Sequence, residues 1–374
     1  MNKNIFFKRI FIFFSIFFCQ PLFSAQTVSE KININRYGLY ISSSNATEDY
    51  DKLKYTLSDA QSIKNTMIEL GGMTKEKSFL LNNPTKQELL SSIQIIAEKI
   101  RYEQNISKIK NTNFNFLNTE FVFYYSGHSE ADGILLGAEK ISYEELKSLI
   151  DEMPGNIHLI ILDSCYSGSL IRAKGGKKIK PFITENSSSG TVYMLSSSAT
   201  EQSQESDDIH ASYFTSALVS GMRGVADTNG DNLVSLKELF DYAYLNTTSS
   251  TAKNPYGTSQ HPVYEVSLEG SSNIPLTNIN FAESLFLLPE DVSGRIFFRN
   301  QENSINGEII KKKGSAIKLA LPAGSYMATI KYKKKSQDAY FVLSQGNTYT
   351  LKPDGKLYIT EEFHFGENFI SPIY

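Results

Sequence analysis

The chain has 374 residues and a formal charge of −3, with Lys and Arg interspersed among Asp and Glu rather than massed, so it carries no field that would gather nucleic acid. Single cores stop growing near about 250–300 residues, which predicts one large domain followed by a smaller one. Only Cys19 and Cys165 are present, too few for a disulfide framework.

The amino-terminal residues have the layout of an export signal. Lys3, Lys8 and Arg9 supply a positive start, Ile10–Phe18 is a short apolar run, and Pro21–Ala25 closes the segment, with cleavage expected after Ala25. The run falls short of the roughly 20 apolar residues needed to span a bilayer. Loss of residues 1–25 therefore leaves no stable membrane span, and the protein is expected to be exported, either to the periplasm or out of the cell. Cleavage also leaves Cys165 as the sole thiol, which in an oxidising compartment is a liability unless it is buried or used.

From Arg36 to about Val266 short apolar runs alternate with amphipathic stretches, the pattern of a wound α/β sheet. Strands are predicted at Tyr37–Ile41, Ser78–Leu81, Phe121–Tyr125, Ile157–Leu162 and Thr191–Leu195, and helices at Leu57–Leu70, Lys86–Ile100, Tyr143–Ile150 and Ser212–Met222. The unbroken run Ile157–Leu162 suits a central parallel strand buried on both faces.

Two of these runs end in chemistry. Phe121-Val-Phe-Tyr-Tyr-Ser-Gly leads into His128 and Ser129, and Ile160-Ile-Leu-Asp163-Ser leads into Cys165, with Gly168 three residues on. Both reactive side chains then emerge at the carboxyl ends of strands, where open parallel sheets bind ligands. A thiol is a weak nucleophile until an imidazole helps it to thiolate and later returns a proton to the departing amine. If the two strands are neighbours, Cys165 is the nucleophile and His128 its base and acid, with backbone N–H groups of Ser129 and Cys165 available to an oxyanion.

Tyr-Ser-Gly-His and Asp-Ser-Cys-Tyr-Ser-Gly, in this order, resemble the histidine and cysteine blocks of caspases, metacaspases and their bacterial relatives. Leu53-Lys-Tyr-Thr-Leu-Ser-Asp59-Ala, Leu80-Leu-Asn-Asn-Pro-Thr85, Ser196-Ser-Ser-Ala-Thr-Glu-Gln202 and Tyr213-Phe-Thr-Ser-Ala-Leu218 extend the likeness over about Arg36–Val266. The resemblance implies a caspase-like three-layer α/β/α sandwich with a mostly parallel sheet over residues 34–270. It implies a cysteine endopeptidase working by a Cys-His dyad on protein or peptide substrates, with no cofactor required. That family often has glycine where this chain has Ser129. In metacaspases the aspartate matching Asp163 helps form an acidic pocket for Arg or Lys, which implies cleavage after basic residues. The other reading of Asp163 is a turn cap. Arg172–Lys180 lies where relatives are often cut into two subunits, and self-cleavage and an incidental solvated loop both remain open.

Asp227-Thr-Asn229-Gly-Asp231-Asn-Leu233-Val-Ser235-Leu-Lys-Glu238 matches the twelve-residue spacing of an EF-hand calcium loop. Asp227, Asn229, Asp231, Ser235 and Glu238 supply side-chain oxygens and Leu233 a carbonyl. Asn232 stands where glycine usually makes the sharp turn and is expected to take the left-handed conformation. A second copy is absent, so calcium and a metal-free acidic turn are both open. Residues 281–374 show short strands and turns, predicting a small β-sandwich-like accessory domain. The rival to an enzyme is a catalytically silent envelope scaffold that displays this domain; a weaker third reading is a peptide-joining transferase. Oligomeric state is not legible in the sequence.

Overall fold

The computed structural model describes residues 34–45, 50–109, 119–172, 189–253, 258–270, 274–301, 306–332, 335–351 and 357–362. The export-signal segment and all but the first residue of the basic loop lie outside these. The described residues belong to one compact unit, Ile34–Tyr374.

In chain order the first strands are β1 (Asn35–Ser43), β2 (Ser78–Asn82) and β3 (Thr119–Gly127), with helices α1 (Thr56–Glu69) and α2 (Lys86–Ile109) between them. A small antiparallel meander follows, β4 (Ser129–Glu130), β5 (Gly133–Leu136) and β6 (Glu139–Ser142), then α3 (Tyr143–Asp151) and β7 (Ile157–Asp163). Next come α4 (Ser169–Arg172), β8 (Ser189–Leu195), a hairpin of β9 (Glu205–Ser206) and β10 (Ala211–Ser212), and α5 (Tyr213–Ser220). The domain closes with β11 (Leu233–Ser235), α6 (Leu236–Thr251), β12 (Val263–Glu269) and β13 (Pro275–Asn278).

The central sheet has the order β12-β8-β7-β3-β1-β2. All pairs are parallel except β12 on β8 at the edge. Every residue of β1, β3 and β7 is buried, the physical origin of their unbroken apolar runs: both faces are covered by helices. Alternate residues serve the two faces. Val122 and Tyr124 pack with α1, α5 and α6, whereas Phe121, Phe123 and Tyr125 pack with α2, α3 and α4. The predicted strands and helices are present with slightly different ends. Strand β12 was not predicted, because an exposed edge strand lacks the apolar period of its buried neighbours.

Beyond residue 281 lie β14 (Ser284–Leu288), β15 (Gly294–Asn300), β16 (Asn306–Lys311), β17 (Ile317–Leu321), β18 (Gly324–Tyr332), β19 (Lys335–Leu343), β20 (Asn347–Leu351) and β21 (Leu357–Glu362). They form two four-stranded sheets, β17-β14-β20-β21 and β16-β15-β18-β19. Phe286, Ile296, Phe298, Leu319, Phe341 and Tyr349 share one buried cluster that Val225, just after α5, also joins. The junction is close: a side chain at Gly224 would place its Cβ 2.6 Å from the Lys318 carbonyl, and Gly224 has φ +113°. Beside it the buried Arg223 donates to Glu69 at 2.8 Å and to the Ala320 carbonyl at 3.1 Å.

Arg36 ties the start of β1 to the end of the domain. Its guanidinium donates to Glu120 and to the carbonyls of Gly71, Leu276 and Pro275, each at 2.6 Å, and Arg36 is buried. Removing one member of a buried ion pair strands the other charge. Arg36→Ala is therefore expected to cost about 3–5 kcal/mol, read as a lower urea midpoint with an unchanged slope; a loss within ~0.5 kcal/mol, as at an ordinary surface site, would show that the clamp does not hold the sheet.

Candidate active site

Strands β3 and β7 are hydrogen-bonded neighbours, in a register that sets Ser126 opposite Asp163. His128 and Cys165 each lie two residues beyond that pair, so both leave adjoining strand ends at the carboxyl edge of the sheet. The direction of chain travel across the sheet reverses between β1 and β3, on the far side of β3 from β7, so the carboxyl edge beside His128 is where an open sheet leaves a crevice. Both residues are partly exposed.

His128 is held from two sides. Its Nε2 is 2.7 Å from the Asp51 carbonyl; a carbonyl only accepts, so Nε2 carries the proton and Nδ1 is the nitrogen left for a thiol. The Tyr50 ring lies against the imidazole with centroids 4.8 Å apart. From below, the buried Tyr125 hydroxyl sits 2.6 Å from the His128 and Leu135 carbonyls, and the Leu135 N–H donates to His128 O at 2.9 Å. The group that orients the imidazole is thus a main-chain oxygen, which no side-chain pattern could have revealed.

Cys165 opens a tight turn. Tyr166 adopts a left-handed φ of +54°, a conformation a bulky residue takes only when its surroundings impose it, and its N–H donates to the Glu201 carbonyl at 2.9 Å. Three serines pin the turn to the segment after β8. Ser164 N–H donates to Ser196 Oγ at 3.0 Å, and the Ser196 and Ser197 hydroxyls return to Ser164 O, both at 3.1 Å. Gly168 lets two backbones meet, since a Cβ there would stand 2.7 Å from the Ala199 nitrogen. Gly127 is similarly crowded, by Ser43 and Tyr125, so both glycines serve close packing within the fold.

Ser129 keeps φ outside the left-handed region, so the absence of glycine does not strain the chain there. Its buried hydroxyl donates to the Cys165 carbonyl and ties the histidine loop to the cysteine loop. Burial pushes the Cys165 thiol above its usual range and the Asp163 carboxylate adds to this, while N–H groups of Ser203 and of Cys165 itself pull the other way.

Asp163, two residues before Cys165, is buried. It accepts from Ser203 Oγ at 2.7 Å, from Thr215 Oγ1 at 2.6 Å and from the Ser212 hydroxyl. Beside it lies a carboxylate not singled out as a site residue from sequence, Asp59 of α1, buried and accepting the Ser212 N–H at 3.3–3.4 Å. Burial raises the Asp59 pKa well above the carboxylate range, and Asp163 and Glu205 raise it further. Among the described residues no Lys or Arg pairs with Asp59 or Asp163. The only clue to Asp59 was its place in Leu-Ser-Asp-Ala. Gln260, fully buried, steadies the segment beside Asp163 by donating to Ser196 O at 2.7 Å and to Ser203 Oγ at 3.2 Å.

The loop from Asp227 to Glu238 lies away from this crevice, between Ala226 and α6. Asn232 has φ +64°, the left-handed turn expected of it. Asp227 accepts from the N–H groups of Gly230 and Asn232, Asn229 Oδ1 from Asp231 N–H, and Asp231 from Leu233 N–H, at 2.8–3.0 Å. Glu238 is turned to the start of α6, where it forms a reciprocal cap with Ser235 and also accepts from Thr228. The loop therefore closes on its own backbone, and among the described residues no three His, Cys, Asp or Glu side chains are gathered as a metal site.

Comparison with known proteins places these features. A family model described as the caspase domain matches residues 32–271. No curated protein matches the sequence. Among solved structures the chain is similar to the crystal structure of caspase-1 from Spodoptera frugiperda, at 12% identity and a TM-score of 0.44, over 65% of this chain and 91% of that one.

The electrostatics of the crevice has a measurable consequence. With the thiol pushed up by burial and by Asp163, a His128→Ala protein is expected to react with iodoacetamide slowly at neutral pH and to accelerate only above the ordinary thiol range. Asp163→Asn in that background moves the rise to lower pH. An alkylation profile unmoved by the second change would mean that Asp163 does not act on the sulfur.

Proposed function

The chain belongs to the caspase-domain family, and on that premise we propose that it is a cysteine endopeptidase using Cys165 and His128 to cleave after Arg or Lys. The observation that carries the reading is the placement of both residues two positions past one register pair on adjoining strands, with Nε2 of His128 already committed to a carbonyl.

In the proposed reaction Nδ1 of His128 takes the proton of Cys165, and the thiolate attacks the scissile carbonyl carbon, forming a C–S bond. Backbone N–H groups of Ser129 and Cys165 receive the developing oxyanion. The intermediate collapses with cleavage of the C–N bond, and the imidazolium gives its proton to the departing amine. Water, deprotonated by His128, then opens the thioester and regenerates the thiol.

Preference for a basic residue is supported by the buried pair Asp59 and Asp163. Two carboxylates removed from water without a cation are costly, and a substrate guanidinium or ammonium is the partner that relieves them. The hydroxyls of Ser203, Ser212 and Thr215 keep Asp163 oriented until it arrives.

Calcium at Asp227–Glu238 is a separate proposal. It requires Glu238 to give up its cap, and its expected signature is a higher melting midpoint with calcium; an unchanged midpoint at millimolar metal would remove it. For the peptidase, a peptidyl electrophile ending in Arg is expected to label Cys165 in the wild type and not in Cys165→Ala, and a silent scaffold would stay unlabelled. Asp163→Asn or Asp59→Asn should lower kcat/KM for Arg peptides by about 30- to 5,000-fold, equivalent to about 2–5 kcal/mol. A preference for Asp before the scissile bond would overturn the pocket assignment.

A further inference from the structure

The histidine depends on a carbonyl, and that carbonyl belongs to a short segment with few anchors of its own. Residues 50–55 run from beyond the end of β1 to the start of α1, and Asp51, Lys52 and Lys54 are exposed. One backbone bond, Leu53 N–H to Ser44 O at 3.2 Å, returns the segment to its own strand. Tyr50 packs on the His128 ring and the Tyr55 carbonyl begins α1, and ties from Lys54 and Tyr55 cross to the β9–β10 hairpin, some 150 residues later in the chain. Glu205 accepts the N–H groups of Lys54 and Tyr55, one on each carboxylate oxygen, both at 3.1 Å. Asp207, exposed at the turn of the hairpin, accepts from Lys54 Nζ at 3.0 Å and from the Tyr55 hydroxyl at 2.6 Å.

These ties differ in kind. Asp207 grips two side chains at an exposed site, where ion pairs contribute little. Glu205 is partly buried and grips the main chain itself, three and four residues from the carbonyl that meets His128. Charge-assisted bonds to backbone N–H groups are the stronger class, and because they act on the backbone they fix where Asp51 O stands.

Building on the peptidase reading of His128 and Cys165, we propose that Glu205 is a positioning residue. Its carboxylate bolts the 50–55 segment so that the Asp51 carbonyl holds His128 as the Nε2–H tautomer with Nδ1 free for the thiol. Glu205 touches no reacting atom. Without it the segment keeps the Leu53–Ser44 bond and the exposed Asp207 ties, and the N–H groups of Lys54 and Tyr55 lose the acceptor that fixes the main chain between them and α1. The hairpin thereby supports both halves of the site: Glu205 steadies the imidazole, while Ser212 at its other end holds Asp163 and Asp59.

The test is Glu205→Gln in the full chain, with Asp207→Asn as the comparison. The amide keeps one acceptor oxygen and loses the charge and the second. A displaced general base costs rate rather than affinity, so kcat for an Arg peptide should fall on the order of 10- to 100-fold with KM unchanged, and Asp207→Asn should fall much less. Imidazole ¹⁵N spectra, assigned by His128→Asn, should show His128 as the Nε2–H tautomer in the wild type and as a mixture in Glu205→Gln. Wild-type kcat together with an unmoved His128 signal overturns the proposal; so does a rise in KM with kcat and the signal intact, which would make Glu205 a substrate contact. If Glu205→Gln melts early, Glu205→Asp, which keeps the charge on a shorter arm, is read in the same two ways. Should the wild type neither turn over peptide nor take the electrophile label, the peptidase reading is lost, and the ¹⁵N comparison still decides whether Glu205 holds His128.

Discussion

The arrangement of the site follows from the register of two buried parallel strands. Because β3 and β7 are paired so that Ser126 faces Asp163, the loops that leave them start side by side. A shift of one residue would turn every side chain of one strand to the opposite helix layer, breaking two cores at once. Burial on both faces therefore does more than stabilise the sheet: it makes the register non-negotiable. The distance between histidine and cysteine loops is in this sense a property of the hydrophobic core, and the hydroxyl of Ser129 on the Cys165 carbonyl closes the remaining gap between them.

On this scaffold the local electrostatics is set against the chemistry proposed for it. Burial and Asp163 both favour the neutral thiol, and Asp59 is itself pushed toward its neutral form. Asp163 thus holds both Asp59 and the thiol toward their neutral forms, with no Lys or Arg paired to Asp59 or Asp163 among the described residues. Substrate would change that balance: a cation entering beside Asp59 and Asp163 offsets the field that holds the sulfur protonated. On the proposed reading, binding of a basic residue and activation of Cys165 become one electrostatic event, because Asp163, which would receive the cation, also raises the thiol.

What could be read from sequence was what the core dictates. Ile157–Leu162 announced a central strand because it is buried on both faces, and the glycine-bearing turns after it and after Tyr125 marked the two loops. The family membership and the caspase-like fold followed from those blocks. Other parts were illegible for definite reasons. Asp51 acts through its carbonyl, and main-chain atoms carry no residue signature. Asp59 lies on a helix a hundred residues from Asp163 and meets it only through tertiary packing, and Gln260 is a lone polar residue whose burial no local pattern betrays. Strand β12 hides because an exposed edge has no apolar period. At Asn232 the reading ran the other way: a residue type that tolerates positive φ stood at the turn, and the turn is there.

The β9–β10 hairpin joins two parts of the site, the 50–55 segment that meets His128 and the buried carboxylates Asp59 and Asp163. Its first strand carries Glu205 against the 50–55 segment, and its last residue, Ser212, bonds both buried carboxylates. Its tip, Asp208–His210, borders a cavity of about 110 Å³ whose other wall is the outer face of the C-terminal sheet, with Phe297, Arg299 and Lys331. The second domain is packed against the first through Arg223 and Gly224, so that wall is fixed rather than incidental. The hairpin tip thus stands across a small cavity from the second domain, close enough for Asp208 to act on Arg295, and the support proposed for the imidazole lies on an element next to both domains.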